Sequence, residues 1–512
     1  MLGITIVIGG QYFSWNAGVA AGLYSSMIAN FLVAAAYITL CCCIAEITGA
    51  LPFAGGAYGL ARCTLGFYPA FMIGCCEALE YIVYVSSSVI SFADMVVEVA
   101  PSLASVRPLV WATFYASALF FHMKSVRLFW AFNAAIGSVS LAVVLLYSFG
   151  ALPYVDFQQY AHADSSLYFV GGFSSFMKAL PLAPWFFVGV EALNLASDQV
   201  TQPKATIPFA QVACVLTLFT TGVMVFFVTV SLPPGIAQLP TELVPFNNCF
   251  RPLFGLSHRF ATVLSLPATY ATAFGFMWCY GKLIAAMATS RLLPPFLGRT
   301  SRRHGSPNVA IIAGSVLSYL FCLLVYLVPT ISARLYMICI TCAFMSYTGQ
   351  CVGYISLKKN YRNIKSSSFR NPFGIYGAVF SMSVWLLAFV GVAGFQGNGG
   401  VEVLTFLSAA ALLSVFYFAY ARKRQTFSPQ ENRILLVAHV TKFNGLRARG
   451  KNQRPKGSSG ASGTAGTSRA TRGTVGSRFT EGAVNDGDGQ TSTADAPSRP
   501  NAHVVRSSAG GD

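Results

Sequence analysis

Long apolar runs separated by short polar segments fill the first 425 residues of the chain. Hydrophobic residues make up 54% of the 512 residues and charged residues only 10%, whereas soluble domains have roughly 25% charged residues. A run of roughly 17 to 25 apolar residues can cross a bilayer as a helix. Twelve such runs lie near 2–21, 25–48, 68–98, 108–122, 127–150, 171–196, 208–231, 260–288, 309–328, 333–356, 373–395 and 402–421. The pattern predicts an all-α membrane protein with twelve transmembrane helices.

Helix-breaking residues interrupt two of these runs. The stretch from Thr5 to Gly18 carries two consecutive glycines, and the stretch from Pro181 to Ala196 carries two prolines and a glycine. Unpaired backbone groups are costly in hydrocarbon, so unwound chain survives there only beside a cavity, a ligand or packed protein. A packing glycine or a kink explains either break alone equally well. Two breaks, about five runs apart, are typical of inverted-repeat carriers that hold substrate at the midplane.

The basic residues predict an orientation. Short loops rich in Lys and Arg stay in the cytoplasm. With the N-terminus inside, the inner loops and their edges hold thirteen basic residues and the outer ones four. We therefore expect a plasma-membrane protein with both termini in the cytoplasm. The net charge of +17 reflects this asymmetry and the tail, so the expected partner is the lipid bilayer and not nucleic acid.

The chain changes character after the last run. We predict a transporter core over residues 1–425 and a cytoplasmic, mostly disordered tail over 426–512, because the Gly, Ser and Thr of the tail bury too little apolar surface to fold. Residues 434–440 fit either a short amphipathic element on the inner face or a spacer. Only eight residues precede Gly9, so we expect that an N-terminal arm is missing from the chain.

Catalytic and metal-binding patterns are not evident in the sequence. Thirteen cysteines occur, and Cys339 and Cys342 form a C-x-x-C, but this pair lies inside an apolar run with no second pair or histidine cluster. The candidate loops contain no set of nucleophile, base and orienting residue, and no phosphate-binding loop. We therefore predict no enzyme, no cofactor and no metal site.

Three separated motifs resemble those of the amino acid/polyamine/organocation permease superfamily. Glu46 to Tyr58 resembles the pattern E-x5-P-x-x-G-G-x-Y, and Trp185 to Glu191 resembles W-x-F-x-G-x-E. Gln202 to Pro208 resembles N-P-x-x-x-I-P, with Gln in the place of Asn. The resemblance covers Leu2 to about Ala421. It implies a LeuT-like 5+5 inverted repeat that transports by alternating access.

Within the superfamily, the ethanolamine permease branch is the most similar. Gly9 to Trp15 resembles its G-G-x-[FY]-F-x-W break, and Glu77 to Ile82 resembles its acidic and aromatic third helix. Amino acid carriers typically have G-S-G-I-F, so Gly10 and Gln11 here replace the Ser and the second Gly. The resemblance implies secondary active transport of small organic amines such as ethanolamine. An amino acid or polyamine permease, or a nutrient receptor that signals through its tail, are the alternatives.

Candidate substrate-binding residues lie in the third run and at the first break. Two carboxylates and two tyrosines share one face of the third run, namely Glu77, Glu80, Tyr81 and Tyr84. A carboxylate beside aromatic rings suits an ammonium group, and we take Glu80 and Tyr84 as the substrate contacts. A buried acid needs a partner, a cavity or a proton, so a structural pair with Lys178 or Lys282 is the alternative. At the break, the amides of unwound chain offer donors to a hydroxyl or an anion, and the candidates are Gly9, Gly10, Gln11 and Tyr12.

Further candidates lie in the sixth and eighth runs. The resemblance implies that Trp185, before Gly189, closes over the substrate, and that Glu191 couples the break to the inner gate. A carboxyl group in a low dielectric can hold a proton, so Glu191 is a candidate for coupling to a co-transported proton, with sodium as the other candidate ion. A structural hydrogen bond to backbone is the alternative role of Glu191.

The aromatic residues of the eighth run complete the candidate site. They are Phe276, Trp278 and Tyr280, which can form a wall that accepts a cation. Alternating positions cannot all face inward on a helix, so we favour Phe276 and Tyr280. Lipid-facing aromatics are the alternative.

Overall fold

The computed structural model of the chain describes residues 1–301, 305–360, 366, 368–397, 399–429, 431–432 and 436, which fall in the compact unit Met1–Gln453. Almost all of the predicted tail lies outside the described residues, and so do Ile434, Val437 and Val440 of the predicted amphipathic element. The structure therefore addresses the transporter core and the first residues after it.

The described chain consists of α-helices, 3-10 turns and irregular connections, with a π-helical turn over Tyr417–Ala421. The α-helices are α1 Leu2–Val7, α2 Leu23–Ala50, α3 Gly56–Thr64, α4 Phe67–Val99, α5 Arg107–Lys124, α6 Val126–Gly150, α7 Phe157–Tyr160, α8 Gly172–Ala179, α9 Pro203–Val230, α10 Asn247–Phe254, α11 His258–Val263, α12 Leu266–Thr289, α13 Asn308–Leu327, α14 Ser332–Asn360, α15 Gly374–Phe395, α16 Val401–Phe416 and α17 Arg422–Arg424.

Eleven helical segments of the described chain are long and apolar enough to cross a membrane. The shorter apolar segment Leu2–Gln11 begins the first span, which is broken. The 28 residues of α2, at 1.5 Å each, extend for about 42 Å, which exceeds a hydrocarbon core of about 30 Å. The predicted all-α membrane fold with about twelve spans is confirmed.

The first and sixth spans are broken where the sequence predicts. In the first span, α1 passes into the 3-10 turn Ile8–Gln11, and a second 3-10 segment covers Trp15–Ala21. In the sixth span, α8 passes into Leu180–Phe186, and Val190–Ala196 follows. Gly189, between the two halves, has a φ of 96°, a conformation that glycine adopts at no steric cost.

Three long helices surround these breaks. The eighth span, α12, packs against both α1 and the third span α4, and the tenth span, α14, packs along α4. The short helix α3 lies between the second and third spans and packs against α4 and α14. Its entry requires glycine, because Gly56 has a φ of 58°. The motif from Glu46 to Tyr58, which we call the signature loop, thereby leads into a helix that contacts the second half of the sixth span, Val190–Ala196.

Candidate functional site

The two broken spans meet each other. A Cβ atom on Gly10 would overlap the carbonyl oxygen of Trp185, so the backbones of the two breaks are in contact. A Cβ atom on Gly189 would lie 2.6 Å from the Cγ2 atom of Ile6 in the first span. The glycines are therefore needed for a close approach as well as for unwinding the helices.

The eighth span holds the first break in place. The amide of Gly9 donates to Oγ1 of Thr272 over 2.8 Å, and the same hydroxyl donates to the carbonyl oxygen of Ile6 over 3.0 Å. Buried backbone groups need hydrogen-bond partners, and Thr272 supplies one to a donor and one to an acceptor of the unwound first span. One of the amides predicted to be free for substrate is already paired.

Aromatic rings enclose the point where the breaks meet. The indole of Trp185 lies parallel to the ring of Tyr336, with centroids 4.8 Å apart and an interplanar angle of 6°. The ring centroid of Tyr84 lies 5.0 Å from that of Trp185 and 4.4 Å from that of Phe276. The ring centroid of Phe13 lies 5.5 Å from that of Trp185. We call these five residues the aromatic enclosure. Its members come from the first, third, sixth, eighth and tenth spans.

A carboxylate with one unpaired oxygen lies one turn from Tyr84 on α4. Oε1 of Glu80 accepts a hydrogen bond from the hydroxyl of Tyr347 over 2.6 Å. Oε2 of Glu80 and the hydroxyl of Tyr84 are buried and have no hydrogen-bond partner among the described residues. Buried polar atoms are normally paired, so these two atoms are suited to bind a polar ligand.

Glu77 has a structural role that separates it from Glu80. Its two carboxylate oxygens accept the amide of Ala57 over 3.2 and 3.0 Å, which caps the N-terminus of α3. The hydroxyl of Tyr81 donates to Oε1 of Glu77 over 3.0 Å. The predicted alternative, in which Lys282 pairs with an acid of the third span, is wrong, because Lys282 binds Asp198 over 2.5 Å. Lys178 is exposed.

Glu191 connects the sixth-span break to the third span. Its Oε2 accepts the amide of Gly189 over 3.1 Å, and its Oε1 lies 3.4 Å from the hydroxyl of Tyr81. The chain of contacts from Ala57 through Glu77, Tyr81 and Glu191 to Gly189 joins the signature loop to the break. The backbone bond that we considered as an alternative for Glu191 is therefore present, and it is compatible with a role in coupling.

Three predicted residues have other surroundings. The hydroxyl of Tyr12 donates to the carbonyl oxygen of Ser140 on α6 over 2.5 Å, away from the aromatic enclosure. The side-chain amide of Gln11 donates to the carbonyl oxygen of Leu218 over 3.0 Å. Tyr280 does not join Phe276, because its hydroxyl lies 2.7 Å from Oγ of Ser315 on α13. Phe276 and Tyr280 are both buried, so the lipid-facing alternative is wrong for them.

The sequence interpretation missed Tyr336, Tyr347 and Thr272. A signal for the first two is present in the tenth span, where tyrosines and small residues repeat every three or four positions at Tyr336, Cys339, Ala343, Tyr347, Gln350 and Tyr354. That spacing puts the residues on one helix face. Nothing in the local sequence identifies Thr272 as a partner of the first break.

Comparison with known proteins gives one family. The model of the amino acid permease family matches residues 1–418. A protein of Rhizobium meliloti named as an uncharacterized transporter is 25% identical over 61% of this chain and 68% of its own length. The histidine permease HisP of Lactococcus lactis is 22% identical over 56% of this chain and 63% of its own length. The methylthioribose transporter of Bacillus subtilis is 23% identical over 83% of this chain and 92% of its own length.

Proposed function

Because the chain belongs to the amino acid permease family, we propose that it is a secondary active transporter of small organic amines, with ethanolamine as the first candidate. Transport proceeds by alternating access across the plasma membrane, with both termini in the cytoplasm. The site is formed by Glu80 and the aromatic enclosure, where the first and sixth spans meet.

The unpaired oxygen of Glu80 supports this proposal most directly. An ammonium group that donates to Oε2 of Glu80 would complete the pairing of the carboxylate, and hydrogen bonds to charged groups are stronger than neutral ones. The faces of Trp185, Tyr84 and Phe276 attract a cation by roughly 0.5 to 2 kcal/mol each. The free hydroxyl of Tyr84 offers a further partner to an amine or a hydroxyl group. This combination is typical of a site for a small cation.

The first break favours an amine without a carboxylate. A carboxylate needs several donors, but the amide of Gly9 is used by Thr272. The carbonyl oxygen of Trp185, which repels anions, is directed at Gly10. A hydroxyl group needs fewer donors than a carboxylate, so the paired amide of Gly9 counts less against an amino alcohol. An amino acid permease is the second candidate function, and the similarity to a histidine permease favours it.

Glu191 is our candidate for ion coupling. It contacts the amide of Gly189 and lies near Tyr81, so protonation of its carboxylate would weaken a contact that holds the sixth-span break. A proton is therefore the co-transported ion that this site supports best, and sodium is the ion to test beside it.

Uptake by the purified full chain in proteoliposomes tests the proposal. Labelled ethanolamine should accumulate, and unlabelled ethanolamine should compete better than serine, histidine, lysine or a polyamine. Accumulation of labelled serine, histidine or lysine without that of ethanolamine would reject the amine assignment and support the amino acid permease. Imposed proton and sodium gradients, applied separately, identify the driving ion.

A receptor role is separated from transport by truncation. Removal of residues 454–512, which belong to the tail predicted from the sequence, should leave uptake unchanged in a carrier. A receptor would lose its signal in cells and show no accumulation of amine in vesicles before or after truncation.

A further inference from the structure

The first residues after the last span bind to the transporter core. The amide of Thr426 donates to the carbonyl oxygen of Ser290, at the end of α12, over 3.0 Å. The carbonyl oxygen of Thr426 accepts a hydrogen bond from Nη2 of Arg62 in α3 over 3.2 Å. The predicted boundary between core and tail, at residues 425 and 426, therefore falls just before residues that are attached to the core.

One buried carboxylate joins three parts of the chain. Oε1 of Glu431 accepts the hydroxyl of Tyr58 over 2.5 Å and lies 3.3 Å from Nε of Arg62. Oε2 of Glu431 accepts the hydroxyl of Ser290 over 2.9 Å and the amide of Ser428 over 2.6 Å. The side chains of Arg62 and Glu431 are 0% and 1% exposed. The carboxylate thus has four donors, one of which is the charged Arg62, and a buried carboxylate needs such partners.

Residues next to Glu431 and Arg62 hold the two charged groups in position. Ser428 and Glu431 form a capping box, because the amide of Glu431 also donates to Oγ of Ser428 over 3.2 Å. Aromatic rings cover the guanidinium of Arg62, whose central carbon lies 3.2 Å from the ring centroid of Phe67 and 4.6 Å from that of Phe427. We call Tyr58, Arg62, Ser290, Phe427 and Glu431 the carboxylate clasp.

The clasp and the proposed substrate site share helix α3. Tyr58 and Arg62 lie on this nine-residue helix, and its N-terminal amide at Ala57 is bound by Glu77. Glu77 is connected through Tyr81 to Glu191 and the sixth-span break. A movement of α3 away from the sixth span would therefore have to stretch the clasp, the Glu77 contact, or both.

We propose that Glu431, although it lies beyond the last span, is a positioning residue of the transport cycle. It holds α3 against the core and stabilises the conformation that is closed on the face of the protein where the clasp lies. The proposal rests on the proposed function only in assigning α3 to the transport cycle. Movement of α3 away from α12 requires release of the clasp, because Glu431 is bonded both to Tyr58 of α3 and to Ser290 at the end of α12. Loss of the clasp shifts the protein toward the open form.

Cys63 reports on the clasp without any substrate. All thirteen cysteines lie in the described part of the chain, and Cys63 alone is not fully buried. Burial, helped by the nearby Glu431 carboxylate and opposed by the Arg62 guanidinium, raises the pKa of the Cys63 thiol to about 12. Alkylation by a maleimide requires the thiolate, so the raised pKa keeps Cys63 slow to react while α3 is held against the core, and release of α3 should make it react faster.

The test measures the rate of Cys63 alkylation by N-ethylmaleimide, by peptide mass spectrometry, in the full-length protein in proteoliposomes. Glu431→Gln replaces one acceptor oxygen by an amide group, which then faces the donor of Ser290 or Ser428. Phe427→Leu removes one of the two rings that cover the Arg62 guanidinium and changes no charge. We expect both variants to react roughly tenfold faster than the wild type, since loss of one charged hydrogen bond in Glu431→Gln, or of one cation–π contact in Phe427→Leu, changes an equilibrium by about that factor. The matched controls are Glu242→Gln, between the seventh and eighth spans, and Phe418→Leu, an exposed aromatic of the last span.

Removal of the Glu431 charge alone would lower the pKa of Cys63 and so raise its reactivity. Phe427→Leu changes no charge, so this variant decides whether release of α3 is the cause. Wild-type alkylation rates in Phe427→Leu would overturn the proposal, as would equal acceleration in Phe418→Leu. If Glu431→Gln does not yield monodisperse protein, Phe427→Leu still gives the answer. Amine uptake measured on the same vesicles tests the proposed function separately, because alkylation needs no substrate.

Discussion

Gly10 of the first span and Trp185 of the sixth approach so closely that the carbonyl oxygen of Trp185 occupies the place of a side chain on Gly10. The breaks in the two spans thus form one site. In carriers with broken helices, unwound backbone at such a junction is where substrates bind. The contact gives the aromatic enclosure its fixed position between the two spans.

Gly10→Ala should abolish most transport. The added methyl group can be accommodated only if the two breaks separate, and overpacking of this kind costs about 1–3 kcal/mol. We expect amine uptake in vesicles to fall at least about tenfold. Gly394→Ala is the matched control, because no atom lies within 4 Å of the added Cβ in α15, and its uptake should equal that of the wild type. Normal uptake by Gly10→Ala would show that the breaks move apart freely.

Glu80→Gln should weaken amine binding without affecting folding. Glutamine can still accept the bond from Tyr347, but it removes the charge that attracts the ammonium group. Hydrogen bonds to charged groups contribute about 1.5–3 kcal/mol, so the apparent KM for the amine should rise by roughly one to two orders of magnitude. The measurement is concentration-dependent uptake, with surface expression as the check on folding. Unchanged uptake kinetics would remove Glu80 from the site.

Tyr347→Phe should act through Glu80. The phenylalanine ring keeps the contact with Trp385, whose centroid lies 5.1 Å from that of Tyr347. It loses the hydroxyl, which donates to Glu80 and accepts from Tyr37 over 3.2 Å. The apparent KM should rise by about three- to tenfold, while turnover changes little. Tyr376→Phe, at an 88% exposed position, is the control. In the Glu80→Gln background the same substitution should have little further effect, and fully additive losses would refute the positioning role.

Transport should depend on the proton gradient through Glu191. If Glu191 binds the coupling proton, a lower external pH supplies that proton and increases uptake into vesicles of neutral interior. Glu191→Gln, which cannot release or bind a proton, should remove this dependence and retain exchange of labelled for unlabelled substrate. Initial rates at several external pH values measure the effect. A pH response that is identical in the wild type and Glu191→Gln would assign the coupling to another group.

The sequence alone identified the breaks and several members of the enclosure. Gly9, Gly10, Pro184 and Gly189 are recognisable because helix breaking is a local property of glycine and proline. Trp185 and Phe276 were found from their positions relative to those breaks and spans. The structure brings the rings of both residues into contact with Tyr84, and their roles in binding stay a prediction.

Partners that come from distant segments could not be predicted. Tyr347 reaches Glu80 across 267 residues, and Thr272 reaches Gly9 across 263 residues, so only the packing of the spans brings them together. For Tyr12 the sequence predicted too much. Its neighbours at the first break placed it in the substrate site, but its hydroxyl donates to Ser140 on α6. Ser428 and Glu431 have the S-x-x-E spacing of a capping box, which the sequence interpretation missed, and no local pattern indicates the attachment of Glu431 to Arg62.

The separation of Tyr58 and Glu431 by 373 residues has a consequence for biosynthesis. At about 5–20 residues per second, a ribosome completes Glu431 on the order of tens of seconds after Tyr58 has been made. During this interval the spans after the second one are made, and α3 is held by Glu77 but not yet by Glu431. A nascent or prematurely terminated chain that ends at Arg424 would thus contain the whole transport path but lack the contact of Glu431 with α3. Translation of the few codons between Arg424 and Glu431 is therefore needed to complete the assembly of the core.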